Sequence, residues 1–162
     1  MRALYDTKSK GNDRGIKKLL TKEAKIESWL LAEAALADAQ AEEGFIPRSA
    51  ADNIIENAKL ERIDLEEMDR IQAKVGHGFV PFVKVLVKAC SEEGGKYVHY
   101  GVTTQNIQQT GQLYVTYKIH RIFQSYVADI LDQLGDVGVT YAKTVMPSRA
   151  HARHATPSTY GY

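Results

Sequence analysis

The chain has 162 residues, of which 44% are hydrophobic and 25% charged, with 12 Gly and 4 Pro. That composition supports one ordinary globular domain or slightly more, and it excludes a disordered chain because net charge is only +1. The 21 Lys and Arg nearly cancel the 20 Asp and Glu, which argues against a broad nucleic-acid surface. A single cysteine, Cys90, rules out a disulfide framework and any multi-Cys zinc site. No apolar run approaches the ~18 residues a membrane span needs, and the first residues lack an apolar signal core. The expectation is a cytoplasmic protein with no nucleic-acid or membrane partner.

In chain order, residues 1–20 are basic and interrupted by Gly11, Asn12 and Gly15, which reads as a mobile arm or loop. Thr21 offers an N-cap with Glu23 in the first turn, and a run of Ala, Leu, Glu and Lys follows to Glu43, with Gly44 as the stop. Ile26, Trp29, Leu30 and Leu36 fall near one face of this helix. Pro47 and Ser49 begin a shorter helix over about 49–59. Asp64 with Glu67 three residues on makes a capping box for a third helix that ends near Val75. Gly76, His77 and Gly78 interrupt. Phe79 to Ser91 then reads as an apolar helix with Pro81 in its first turn, closed by Gly94 and Gly95.

His99 to Thr104 reads as a loop, and a very long helix is expected from Thr104 to about Lys143. Its apolar stripe runs Ile119, Ile122, Phe123, Tyr126, Val127, Ile130, Leu131, Leu134. Such a rod would be roughly 60 Å long, too long for one small domain to bury. It implies a larger bundle, hence oligomerisation or further chain. From Pro147 on the chain reads as turn-like, with no alternating strand pattern, so the expected fold class is all-α. The expected division is an N-terminal helical domain over 1–103 and the start of a helical-bundle domain over 104–162.

Two constellations carry chemistry. His99, Gly101, Thr103, Thr104, Gln105 and Asn106 place hydroxyls and amides at a helix start, where free N–H groups and the positive dipole end favour a carboxylate or phosphate. The same residues are also read as a simple helix cap. Arg149, His151, Arg153 and His154 put two arginines and two histidines within six residues of a chain holding five histidines. Histidine moves protons near neutrality and arginine grips carboxylates; an exposed basic turn is the other reading. His151 and His154 lack neighbouring carboxylate or thiolate ligands, so no metal is expected. His77 is either a capping or a functional histidine. His120 and Cys90 read as structural.

Together these stretches resemble the fumarase/aspartase superfamily, above all its adenylosuccinate lyase branch and secondly its 3-carboxy-cis,cis-muconate cycloisomerase branch. The resemblance rests on Trp29 to Gly44 with Ile46 and Pro47; on Gly76 and His77 with the apolar helix behind them; on Tyr97 to Asn106; and on Met146 to His151 followed by Ala155 to Thr159 and Gly161. It covers about residues 16–161, and it suggests the N-terminal part of a longer enzyme.

The resemblance implies homotetramers built on long helices, with each active site gathered from three subunits and no metal or organic cofactor. It implies cleavage of a C–N or C–O bond beta to a carboxylate, usually with release of fumarate from a succinyl-type or other dicarboxylate substrate. It assigns His151 as the catalytic acid, with His77 assisting it or binding substrate. His99, Thr103, Thr104, Gln105, Asn106, Arg149, Ser158 and Thr159 would bind substrate. There are departures. Asn106 replaces the usual Asp, Ala150 the usual Thr, and Ala152-Arg153 a Gly-Gln pair. Arg2 and Tyr5 stand out of register with the N-terminal Arg-Tyr pair of adenylosuccinate lyases. The family's Ser-Ser-x-Met-Pro-x-Lys-x-Asn loop, which bears the base, does not occur in these 162 residues. A non-catalytic helical oligomerisation fragment is therefore a further reading of the chain.

Overall fold

The computed structural model describes residues 12–161. Arg2, Tyr5 and the first half of the expected arm lie outside that range. The chain divides into two compact units, one running to Ile119 and one from His120.

The first unit is helical. Where a loop was expected, Asp13 caps a single turn, α1 (Ile16–Leu19). Its carboxylate accepts from the backbone N–H groups of Lys17 at 3.0 Å and Gly15 at 3.1 Å, and these bonds hold it below the usual carboxylate range. Helix α2 (Lys22–Glu42) begins where expected, with the Thr21 hydroxyl accepting from Ala24 N at 3.2 Å. Gly44, at φ 75°, lets the chain turn back. After α3 (Arg48–Asn57) and a 3-10 turn over Leu60–Arg62 comes α4 (Leu65–Val75). Asp64 caps α4 by accepting from Glu67 N at 2.9 Å, and Gly76, at φ 67°, ends it.

Helix α5 (Val80–Ala89) carries Pro81 in its first turn and stops short of Ser91. Ser91 instead caps an unexpected turn, α6 (Glu92–Gly95), by accepting from Gly94 N at 3.1 Å. Gly94 is needed there for room. A Cβ at that position would lie 2.4 Å from Asn53 Oδ1, which itself accepts from Ser91 N at 2.8 Å. The glycine pair read as a helix stop is thus a close-packing point of α6 on α3.

The core forms where the apolar faces of α2, α3 and α5 meet. Ile26, Trp29, Leu30, Ile54, Phe82 and Leu86 are buried together with Phe79. The rings of Trp29, Phe79 and Phe82 make a triad with centroid separations of 5.0, 5.0 and 5.3 Å. The first stretch of α7 (Thr104–Thr140) closes this unit through buried Ile107 and Gly111. A Cβ on Gly111 would lie 2.6 Å from Ser28 Oγ, so α2 and α7 approach backbone to backbone.

The second unit comprises α7 from His120 and a β-hairpin that corrects the turn-like reading of the chain's last stretch. Strands β1 (Val145–Ala150) and β2 (Arg153–Thr159) pair antiparallel, with Val145 opposite Thr159 and Ala150 opposite Arg153. The register slips between Pro147 and Arg149. Ser148 Oγ donates to Thr156 O at 2.7 Å, and the rings of Tyr141 and Tyr160 meet edge to face at 5.9 Å near the hairpin's base. Phe123, Val127, Ile130, Leu131 and Leu134, the heart of the long helix's stripe, are more than half exposed. No helix among the described residues is long and apolar enough to cross a membrane.

Candidate active site

Of the expected site residues of the first unit, Thr104 and Asn106 lie in the first turn of α7, and His99 and Thr103 in the turn that joins α6 to α7. His99 sits in this turn at φ 60° and Gly101 at φ 69°, so two residues of three take the left-handed conformation. Two side chains of α2 clamp it. Glu33 Oε1 lies 2.6 Å from His99 Nδ1, while Glu33 Oε2 accepts from the His99 backbone N–H at 3.2 Å. Two helical turns further along α2, Gln40 Nε2 donates to Tyr100 O at 2.8 Å, and the Gln40 Oε1 is buried without a partner among the described residues.

Glu33 is 1% exposed and the His99 side chain 15%. Loss of solvent drives the Glu33 carboxyl above its ordinary range, and the bonds from His99 pull it only part of the way back. The other side of His99 is aromatic, with the Phe79 ring centroid 5.3 Å away.

His77 is exposed, and its Nδ1 accepts from both Phe79 N and Val80 N at 3.1 Å. It therefore fills the capping place that Phe79, the N-cap residue, leaves empty. With Nδ1 occupied as an acceptor, the neutral ring carries its proton on Nε2. The two histidines are linked through Phe79: His77 holds its backbone and His99 touches its ring.

At the tip of α7, Asn106 Oδ1 accepts from Thr103 N at 3.0 Å, the return arm of a capping box. What the Asn106 side chain has left for a ligand is its N–H2 group. Thr103 is exposed and Thr104 half-buried beside it. Gln105 faces elsewhere. It lines an open groove of about 770 Å³ together with Lys25, Ser28, Trp29, Gln108 and Gln112.

The remaining expected residues belong to the second unit. His151 and Ala152 form the two-residue tip of the hairpin, at φ 49° and 61°. A turn of this kind ordinarily takes Asn-Gly, so an exposed histidine is held here in a conformation costing on the order of 1 kcal/mol. Arg149 stands opposite His154 just below the tip. Ser158 and Thr159 are half-buried at the hairpin's base, paired with Met146 and Val145. At ~3.3 Å per residue they stand roughly 17 Å along β2 from its start beside His151, so one hairpin does not bring these residues together.

Among the described residues no group of three or more His, Cys, Asp or Glu is placed to hold a metal ion. Burial pushes the Cys90 thiol up to about 11, which keeps it uncharged at neutral pH. Sequence reasoning missed Glu33 and Gln40, which it took as ordinary helix formers. The signal was there in the spacing: Ile26, Trp29, Leu30, Glu33, Ala37 and Gln40 share one helical face, so a carboxylate stands on an apolar stripe.

A profile of a lyase family matches residues 7–162. Adenylosuccinate lyase of Methanocaldococcus jannaschii is 34% identical over 146 residues, which are 90% of this chain and 32% of that protein. The crystal structure of a fumarate lyase from Mesorhizobium sp. BNC1 superposes with a TM-score of 0.85 at 30% identity, covering 98% of this chain and 37% of the other. That of beta-carboxy-cis,cis-muconate cycloisomerase from Acinetobacter calcoaceticus superposes with a TM-score of 0.84 at 31% identity, covering 91% and 36%. The chain thus spans about a third of the length of the proteins it matches.

Proposed function

Because the chain belongs to the lyase family of the fumarase/aspartase superfamily, we propose that the protein eliminates a nitrogen or oxygen group from a succinyl-type substrate and releases fumarate. An adenylosuccinate-like compound is the preferred substrate. The observation that carries this reading is the turn at the tip of α7, where His99, held by Glu33, stands beside Thr103, Thr104 and Asn106 at a helix start.

The chemistry asks for such a turn. Removing the proton alpha to a carboxylate leaves an enolate-like dianion, and donors fixed before the reaction must hold that charge. Hydroxyls, amides and unpaired N–H groups at a helix N-terminus suit the task. The leaving atom needs a proton, which His151 supplies, with His77 assisting and Arg149, Ser158 and Thr159 on the substrate. The base lies outside these residues.

His151 works in this scheme from a second copy of the protein. The exposed stripe of α7 from Phe123 to Leu134 supports self-association, and a tetramer of the full-length protein is the assembly proposed. The division of the chain at residue 103, between a helical domain and the start of the bundle, belongs to the same reading.

Supplying adenylosuccinate to the full-length protein and following fumarate by ultraviolet absorbance tests the proposal. Release of fumarate, lost in a folded His151→Ala variant, is the expected result; undiminished turnover in that variant removes His151 from the mechanism. The superposition on the muconate cycloisomerase supports a second reading, ring closure of a carboxymuconate. Turnover of that compound with none of adenylosuccinate would select it.

A further inference from the structure

We propose that Glu33 is a positioning residue: from inside α2 it fixes the His99 ring with the proton on Nδ1, so that Nε2 is offered as an acceptor to an N–H or O–H group of the substrate. The inference rests on the reading of His99 as a substrate-side residue and adds to it the group that orients the ring.

The geometry carries it in three steps. First, both oxygens of Glu33 are used on one residue. Oε2 takes the His99 backbone N–H at 3.2 Å and Oε1 meets Nδ1 at 2.6 Å. In its ionised form Glu33 only accepts, which puts the proton of that short bond on Nδ1 and leaves the ring's other nitrogen as its one remaining polar atom.

Second, the arrangement is costly. Glu33 is 1% exposed, no Lys or Arg pairs with it among the described residues, and the surrounding face of α2 is apolar. A hydrophobic side chain of similar size would serve that core without the desolvation penalty.

Third, the ring is held on every side that the fold reaches. Phe79 packs on it at 5.3 Å, and the backbone stays at φ 60° with its N–H bonded to the same carboxylate. A side chain that keeps 15% exposure while its root is pinned so fully has the build of an oriented ligand contact.

The test uses the full-length protein in three forms: unaltered, Glu33→Gln and Glu33→Leu. Nitrogen-15 NMR of the His99 ring reads the tautomer directly. The unaltered protein should show Nδ1 protonated and Nε2 bare. Glu33→Gln retains an acceptor for Nδ1 but sets its N–H2 against the backbone N–H, so its tautomer preference should weaken; in Glu33→Leu the ring should revert to a mixture.

In turnover of adenylosuccinate, KM should rise about tenfold in Glu33→Leu with kcat much less affected, and Glu33→Gln should fall between. A ring already mixed in the unaltered protein overturns the inference and leaves the lyase reading standing. Lower thermal stability with an unmoved KM reduces Glu33 to a packing role and overturns it as well. An unmoved KM in His99→Gln, with the tautomer still governed by Glu33, removes His99 from the substrate and takes both readings down.

Discussion

The two halves of this molecule treat their apolar residues in opposite ways. In the unit that runs to Ile119, Phe79, Phe82 and Leu86 are fully buried, and even a carboxylate, Glu33, is drawn into the interior. In the unit from His120, Phe123, Val127, Ile130, Leu131 and Leu134 lie open along the helix, with Phe123 56% and Leu131 62% exposed. The first unit closes a core within one copy, although Phe45 and Leu113 stay exposed; among the described residues the stripe of the second has nothing set against it. The chemistry divides along the same line. His77, His99 and the α7 tip are fixed by hydrogen bonds inside the first unit, while His151 stands at the bare tip of a hairpin.

The largest expected effect contrasts these interiors. Phe82→Ala empties a fully buried ring position and should cost about 3–5 kcal/mol in urea unfolding. Leu131→Ala should change the stability of the dissociated chain by less than about 0.5 kcal/mol. Comparable losses in a chain kept monomeric would break the contrast.

Next comes the close approach of α2 and α7. Gly111→Ala places a methyl 2.6 Å from Ser28 Oγ and 2.8 Å from the Trp29 ring, and should cost about 1–3 kcal/mol by the same measurement. Polar replacement of the exposed stripe, Ile130→Ser with Leu134→Ser, should lower the mass seen by light scattering without reducing helicity by circular dichroism.

A pH series sharpens the comparison further. Burial raises the Glu33 carboxyl above its unfolded value, so the folded state binds that proton more tightly. Its contribution is fully present below the unfolded pKa and is lost as pH rises through the folded one. Glu33→Gln should flatten that fall in stability, read from urea midpoints at successive pH values. The smallest effect is at the hairpin tip, where Ala152→Gly relieves a φ of 61° and should stabilise by about 1 kcal/mol.

The helices were legible because their ends are written in local chemistry. Thr21, Asp64, Gly44 and Gly76 each do at the boundary what their side chains, or lack of one, dictate. The hairpin was not legible. Neither strand alternates apolar and polar residues, since both faces are largely open, and its turn is His-Ala rather than Asn-Gly. Gly94 misled for a related reason: it is a glycine for the sake of Asn53, a neighbour 41 positions earlier in the chain.

For the site, His77, His99 and the Thr103 to Asn106 cluster stood out by residue type; in the first unit His99 and the α7 tip share one turn, His77 reaches it only through Phe79, and Gln105 lines a separate groove. The partner that orders His99 did not stand out. Glutamate is common in helices, and only its place on the buried stripe of α2 marks it as different.

The most direct test of the whole account is a crystal structure of the full-length protein with succinate bound. The account predicts a carboxylate of succinate on the Thr103–Thr104 tip of one copy, with His151 of another copy within hydrogen-bond reach of the same molecule. Succinate bound away from that turn, or His151 packed where no ligand reaches it, would contradict it.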